Sequence, residues 1–140
     1  MTMLREIAFG DKRFAAFVAA LQGADLTSED LDSAPLRYFT LDDLAWGGFG
    51  VGADALLRSI VVLPSARGRG LGERIVAGLA EAAREQRTER LWLLTTSAGP
   101  FFAKLGWQEH ERAAAPGAIA SSRQFAALCP ASSTLMVRTL

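Results

Sequence analysis

The sequence predicts a mixed α/β (α+β) fold, a largely antiparallel sheet with one parallel strand pair at its centre. Two observations set this class. The β-branched run Ile60, Val61 and Val62 leads into a glycine-rich turn at Gly68, Gly70 and Gly72, then an amphipathic helix, then the apolar run Leu91, Trp92, Leu93 and Leu94. A strand, loop, helix and strand in that order form a right-handed crossover, which sets the two strands parallel. Upstream, two strand-like runs bracket Asp42-Asp43, as in a hairpin, and a further run before the glycine turn extends it to an antiparallel meander. At 140 residues, half of them apolar, the chain is long enough for one core, and we read residues 1–140 as a single domain.

Each element follows from local signals. Leu4, Ile7 and Phe9 mark a first strand over residues 2–8. Asp11 is the expected N-cap of a helix over residues 12–22, where Phe14, Phe17, Val18 and Leu21 share one face and Gly23 ends it. Phenylalanines at this spacing are ordinarily core. Residues 27–31 read as a short capped helix before a loop at Pro35. Strands follow over residues 37–41, 44–51 and 55–63. The second of these is expected to be irregular because of Gly47, Gly48, Gly50 and Gly52, with Trp46 and Phe49 packing in the core. Pro64 ends the third by removing a ladder donor. A helix over residues 72–87 has Leu71, Ile75, Leu79 and Ala82 near one face, and a strand over residues 89–96 follows. Gly106 is a natural C-terminal stop for a short helix after Pro100, with a strand over residues 107–112, a loop and helix over residues 116–128, and a last strand over residues 134–139.

Composition removes several function classes. Lys plus Arg and Asp plus Glu are 15 each, so no general attraction to nucleic acid or anionic membrane is expected. Cys129 is the single cysteine and His110 the single histidine, which leaves no disulfide within the chain and no multi-cysteine or histidine metal cluster, and suits the cytoplasm. No leader is read at the N-terminus, and no apolar run approaches the ~20 residues of a membrane span.

The positive charge is local. Arg67, Arg69 and Arg74 flank the glycine turn, whose amides can converge on an anion at a helix N-terminus. This suits a diphosphate. A P-loop would need Lys followed by Ser or Thr where the chain reads Glu73-Arg74, and a dinucleotide fingerprint would need G-x-G-x-x-G where the chain has G-x-G-x-G.

The pattern R-x-x-G-x-G, Arg67 through Gly72, directly after Val62-Leu63-Pro64, resembles motif A of the GNAT N-acetyltransferases. Lys104, Gly106 and Trp107 resemble the turn that follows that family's later helix. The resemblance implies a GNAT fold whose parallel strands splay around acetyl-CoA. It implies that Arg67, Gly68, Arg69, Gly70, Leu71 and Gly72 bind the diphosphate, that Ile60 and Val62 pair with the pantetheine arm, and that the Val62 amide polarises the thioester carbonyl. Over residues 55–138 the chain is similar to small arsenic-resistance N-acetyltransferases and to amino-acid N-acetyltransferases of the N-acetylglutamate synthase type, on Leu57-Arg58-Ser59, Leu94-Thr95-Thr96 and the tail 124–132. One thiol argues against direct arsenite binding.

The residues leave the acid and base open. Phe102 stands where the family often has a proton-donating tyrosine, and Leu56 and Leu57 stand where it often has a glutamate. Deprotonation then falls to water or to binding of a neutral amine. Ser59 and Thr95 are candidate catalytic hydrogen-bonding groups, and Arg58 and Thr96 candidate substrate contacts; the plainer readings are loop caps and an ion pair from Arg58 to Asp54 or Glu73. The expected activity is acetyl transfer to the primary amine of a small amino-acid-like molecule, with no metal, and a homodimer is compatible with the sequence. Rival readings are acetylation of protein N-termini or polyamines, a non-catalytic acyl-CoA sensor, and binding of another phosphate ligand.

Overall fold

A computed structural model describes residues 4–8, 10–24, 26, 31, 36–122 and 133–140. In chain order the elements are β1 (Leu4–Ile7), α1 (Lys12–Gly23), β2 (Leu36–Leu41), β3 (Ala45–Gly50), β4 (Asp54–Val62), α2 (Leu71–Glu85), β5 (Arg90–Thr95), α3 (Gly99–Lys104), β6 (Gln108–His110), α4 (Gly117–Ala120) and β7 (Thr134–Thr139). The strands form one sheet in the order β1-β2-β3-β4-β5-β7-β6. All neighbours are antiparallel except β4 and β5.

Local chemistry accounts for the expected elements. Asp11 caps α1 by accepting the Arg13 amide at 3.0 Å. Asp42 and Asp43 both take left-handed backbone, φ 55° and 56°, as the central pair of a type I′ turn requires, and the turn is closed by the Leu44 amide on the Leu41 carbonyl at 3.0 Å, one residue before the pair Leu41↔Ala45. The Thr40 hydroxyl fixes this turn, accepting the Asp43 amide at 3.0 Å.

The two faces of the sheet hold different cores because side chains alternate along each strand. On one face α2 packs Ile75, Val76, Leu79 and Ala83 against Phe39, Phe49, Leu57, Leu91 and Leu93. On the other, α1 packs Phe14, Phe17 and Leu21 against Ile7, Tyr38, Trp46 and Val61, and a second cluster joins Leu56, Trp92, Leu135 and Ile119 of α4. The phenylalanines of α1 are therefore core, and Trp46 stacks on Phe17 with ring centroids 6.2 Å apart.

Several expectations are corrected. The expected irregularity of β3 is confined to one edge: it pairs with β2 continuously from Leu36↔Gly50 to Leu41↔Ala45, while its register against β4 shifts between Trp46 and Gly48. The glycines of β3 also permit close approach: a Cβ on Gly48 would stand 2.6 Å from the Arg37 carbonyl oxygen. The extra residue lies in β4: between the pairs Trp46↔Val61 and Gly48↔Arg58, Gly47 alone faces both Ser59 and Ile60. That is a bulge, and Ser59 within it has φ 59°. The buried stripe of α2 runs through Leu71, Ile75, Val76, Leu79, Ala80 and Ala83, with Ala82 at its margin, because 3.6 residues per turn carry the stripe to Ala83. β6 is shorter than expected, since Arg112 enters a 3-10 turn. Phe9, the start of the first strand, residues 27–30, Pro35 and the tail 124–132 with Cys129 lie outside the described residues.

Candidate active site

The central parallel pair is short. Asp54, Ala55 and Leu56 pair with Arg90, Leu91 and Trp92, and there the pairing ends. Beyond it β4 stays on β3 as far as Val62, while β5 stays on β7 as far as Thr95. The strands part because each keeps its antiparallel neighbour and the bulge at Ser59 bends β4. Between them opens a cleft of about 810 Å³. Its walls include Leu57, Ile60, Val62 and Leu93 from the α2 side of the sheet and Leu56, Arg58, Val61 and Leu94 from the opposite side, so it passes through the sheet.

At the closed end of the strand pair, the Asp54 carboxylate accepts from Arg90 Nε at 2.7 Å, Arg90 Nη2 at 3.0 Å and Trp92 Nε1 at 2.9 Å. Burial alone would raise this carboxyl, but the hydrogen bonds and the Arg90 charge outweigh it and hold Asp54 below the usual carboxylate range. Asp54 is thereby committed to β5 and does not pair with Arg58.

At one mouth of the cleft lie Arg67, Gly68, Gly70, Leu71, Gly72 and Glu73. Gly68 and Gly70 have φ 82° and 75°, and Gly70 is the N-cap of α2 with no side-chain cap. A helix start without a capping side chain presents its first-turn amides to whatever lies in front of them, and here that is the cleft. Gly72 packs its backbone against Phe101, whose Cζ would be 3.3 Å from an added Cβ. Arg69 is exposed in the same loop and does not line the cleft.

Further in, the Leu63 amide bonds to the Leu44 carbonyl of the preceding turn at 2.9 Å. Strand alternation therefore turns the Val62 amide the other way, towards the opened gap. Ile60 and Val62 both line it. Deeper still, Arg58 is 7% exposed, and its Nε donates to the Ser59 hydroxyl at 3.2 Å. Thr95 and Thr96 line the β5 wall, and the Thr95 hydroxyl accepts the Ala98 amide at 2.9 Å, capping the turn into α3. Phe102 is buried in the wall, edge-on to Trp107 with centroids 5.7 Å apart. Among the described lining residues Glu73 is the one carboxylate, and it stands at the α2 mouth.

The structure adds residues that sequence reasoning missed. Ser133 is 4% exposed, lines the cleft, and accepts from Arg112 Nη1 at 2.7 Å. No motif marks it; only the pairing of Thr134 with Thr95 brings it there. Ala24 and Leu26, just past α1, form an apolar part of the rim.

A family model described as an acetyltransferase (GNAT) domain matches residues 36–109, more than half of the chain and the whole run from β2 through the glycine turn to β6. The chain belongs to the GNAT acetyltransferase family. No curated protein matches the sequence significantly. Among solved structures, a Klebsiella pneumoniae protein assigned as an acyl-CoA N-acyltransferase is 22% identical with a TM-score of 0.75, covering 100% of this chain and 98% of that one. N-acetylglutamate synthase from Neisseria gonorrhoeae, solved with coenzyme A and N-acetyl-glutamate, is 22% identical with a TM-score of 0.77; the match covers 100% of this chain and 35% of that longer one. A Mycobacterium tuberculosis protein solved with CoA is 18% identical with a TM-score of 0.76, and 99% of each chain is covered. At these identities the likeness establishes the GNAT fold. The narrower similarity to arsenic-resistance or amino-acid acetyltransferases goes beyond what it carries.

Proposed function

We propose that this GNAT domain transfers an acetyl group from acetyl-CoA to the primary amine of a small amino-acid-like molecule bearing an anionic group. One observation supports the choice of acceptor: a guanidinium, Arg58, lies buried in the cleft wall on the face of the sheet opposite α2. Its planar fork matches the geometry of a carboxylate. A polyamine pocket would need acidic walls.

The chain's residues fit the cofactor. The uncapped first turn of α2, with Gly68, Gly70 and Arg67, suits the diphosphate, and Arg69 adds longer-range positive charge. Ile60 and Val62 offer the exposed edge of β4 to the pantetheine arm. Bound there, acetyl-CoA supplies the acetyl group as a thioester. The Val62 amide is the candidate donor to the carbonyl oxygen as negative charge develops on it. Phe102 has no proton to give, and Leu56 and Leu57 cannot accept one. The catalytic contribution of the chain is then positioning and oxyanion stabilisation, with the acceptor amine bound neutral or losing its proton to water. Thr96 is a candidate acceptor contact; Thr95, which holds the turn before α3, and Ser59, at the bulge of β4, have structural roles beside any catalytic one.

The test is CoA release by the purified protein against L-amino acids, their carboxamides, an amine-bearing organoarsenical amino-acid analogue and polyamines. Turnover of carboxylate-bearing amines in preference to their carboxamides is the expected result. Turnover of polyamines instead, or acetyl-CoA binding without turnover on any amine, would overturn the reading.

A further inference from the structure

On the face of the sheet opposite α2 the apolar side chains form two separate clusters rather than one core. Val61 belongs to the cluster under α1; Leu56 belongs to the other, against which Leu94 packs. All three line the cleft, which therefore runs between two apolar groups. Apolar surface facing such a gap is unfavourable in water in proportion to its area, and an apolar group seated there removes that area from solvent.

The rim continues the same chemistry. Ala24 packs partly on the α1 cluster and lines the cleft, and Leu26 lines it while 42% exposed. Among the described residues Val51 is the other exposed large apolar side chain, and it does not line the cleft. A lone exposed leucine on a protein surface is ordinary. Leu26 differs in its setting, because it stands beside two apolar clusters and its backbone is fixed by the bonds that close α1. The Leu26 amide bonds to the Leu21 carbonyl at 2.9 Å, and the Ala24 amide to the Ala20 and Leu21 carbonyls at 3.2 and 3.1 Å.

We propose that the acceptor carries an aliphatic side chain, which enters the gap between the two clusters and covers Leu26, so that the enzyme selects apolar amines over small and polar ones. The inference rests on the reading of this domain as an acetyltransferase for a small primary amine, and it does not depend on how an acid group of the acceptor is held. Leu26, Ala24, Val61, Leu56 and Leu94 contact only the side chain and move no proton. Their contribution appears in kcat/KM, where each buried methylene is expected to bring a gain of roughly 4-fold.

The test is the side-chain dependence of kcat/KM with acetyl-CoA, measured on glycine, L-alanine, L-norvaline, L-leucine and L-asparagine as free acids and, separately, as carboxamides. Comparison within each series reads the side chain independently of the carboxylate. Asparagine has nearly the shape of leucine but buries an amide. In wild type kcat/KM should rise from glycine to norvaline, and leucine should exceed asparagine by roughly 10-fold or more. Leu26→Ser should lower the leucine-to-glycine ratio roughly 3- to 10-fold, and Ala24→Leu, which fills the gap from the rim, should reverse that ratio. A general loss of folded protein lowers all substrates alike and leaves the ratios where they were.

Equal kcat/KM for leucine and asparagine, no gain from glycine to norvaline, or unchanged ratios in both variants would overturn the inference and leave the acetyltransferase reading standing. Absence of turnover on every amine of both series and on polyamines would remove the acetyltransferase reading, and the inference with it.

Discussion

At the scale of single residues, the glycines of this chain do two different jobs, and substitution separates them. Gly48 exists for space: an added Cβ would stand 2.6 Å from the Arg37 carbonyl oxygen and 2.9 Å from Tyr38 Cε1. Gly48→Ala is expected to cost about 3 kcal/mol, read as a fall in the denaturant midpoint with the slope unchanged. Gly70 exists for conformation and access. Nothing lies within 4 Å of its added Cβ, and its φ is 75°. Gly70→Glu should cost on the order of 1 kcal/mol in strain, leave a folded domain, and abolish binding of coenzyme A in calorimetry, because a carboxylate then stands before the first-turn amides of α2. Unchanged affinity would refute the assignment of the diphosphate to this turn. The sequence marked Gly70 and its neighbours clearly, since positive φ and a helix start have a local signature. It could not mark the bulge at Ser59, because serine carries no preference that announces one, nor Ser133, which no motif singles out.

At the scale of elements, the parallel pair is tied only at its lower end, where the carboxylate of Asp54 on β4 meets Arg90 and Trp92 on β5. Since the folded-state pKa of Asp54 lies below its unfolded value, the tie contributes stability in full above the ordinary carboxylate pKa and loses it as pH falls through the folded value. Urea stability of wild type should therefore fall below about pH 4. Asp54→Asn should lower stability at pH 7 by about 1–3 kcal/mol, and its curve should approach that of wild type at low pH. Parallel curves at constant separation down to pH 2 would show that the tie does not depend on ionisation. Glu6, hydrogen-bonded by Arg37 and held below its usual range by that contact, adds a second titration of the same sign between β1 and β2. The residue types made the strands legible, whereas the pairing of Asp54 with Arg90 needed the strand order. An ion pair from Asp54 to Arg58 does not form because the Asp54 carboxylate is taken by Arg90 and Trp92 of the neighbouring β5.

At the scale of the whole molecule, the cleft exists because two antiparallel halves are joined by three residue pairs and then diverge. A ligand spanning that gap should stabilise the assembly by mass action. Coenzyme A at a hundred times its dissociation constant is expected to add about 2.7 kcal/mol and raise the melting temperature by on the order of 8 °C, while the Gly70→Glu protein shows no shift. A nucleotide lacking the pantetheine arm that shifted wild type equally would place the binding energy in the phosphate turn alone. The sequence by itself determined the elements: the α1 and α2 stripes, the Asp42-Asp43 turn, the glycine bend and the parallel crossover all rest on preferences within a few residues or one helical turn. Only tertiary structure decided that β7 enters between β5 and β6, that β4 and β5 separate after Leu56 and Trp92, and that Arg58, Ser59 and Ser133 line one cleft. Those facts depend on pairings between distant segments, and a strand's own residues record how much of it is buried far better than which strand lies beside it.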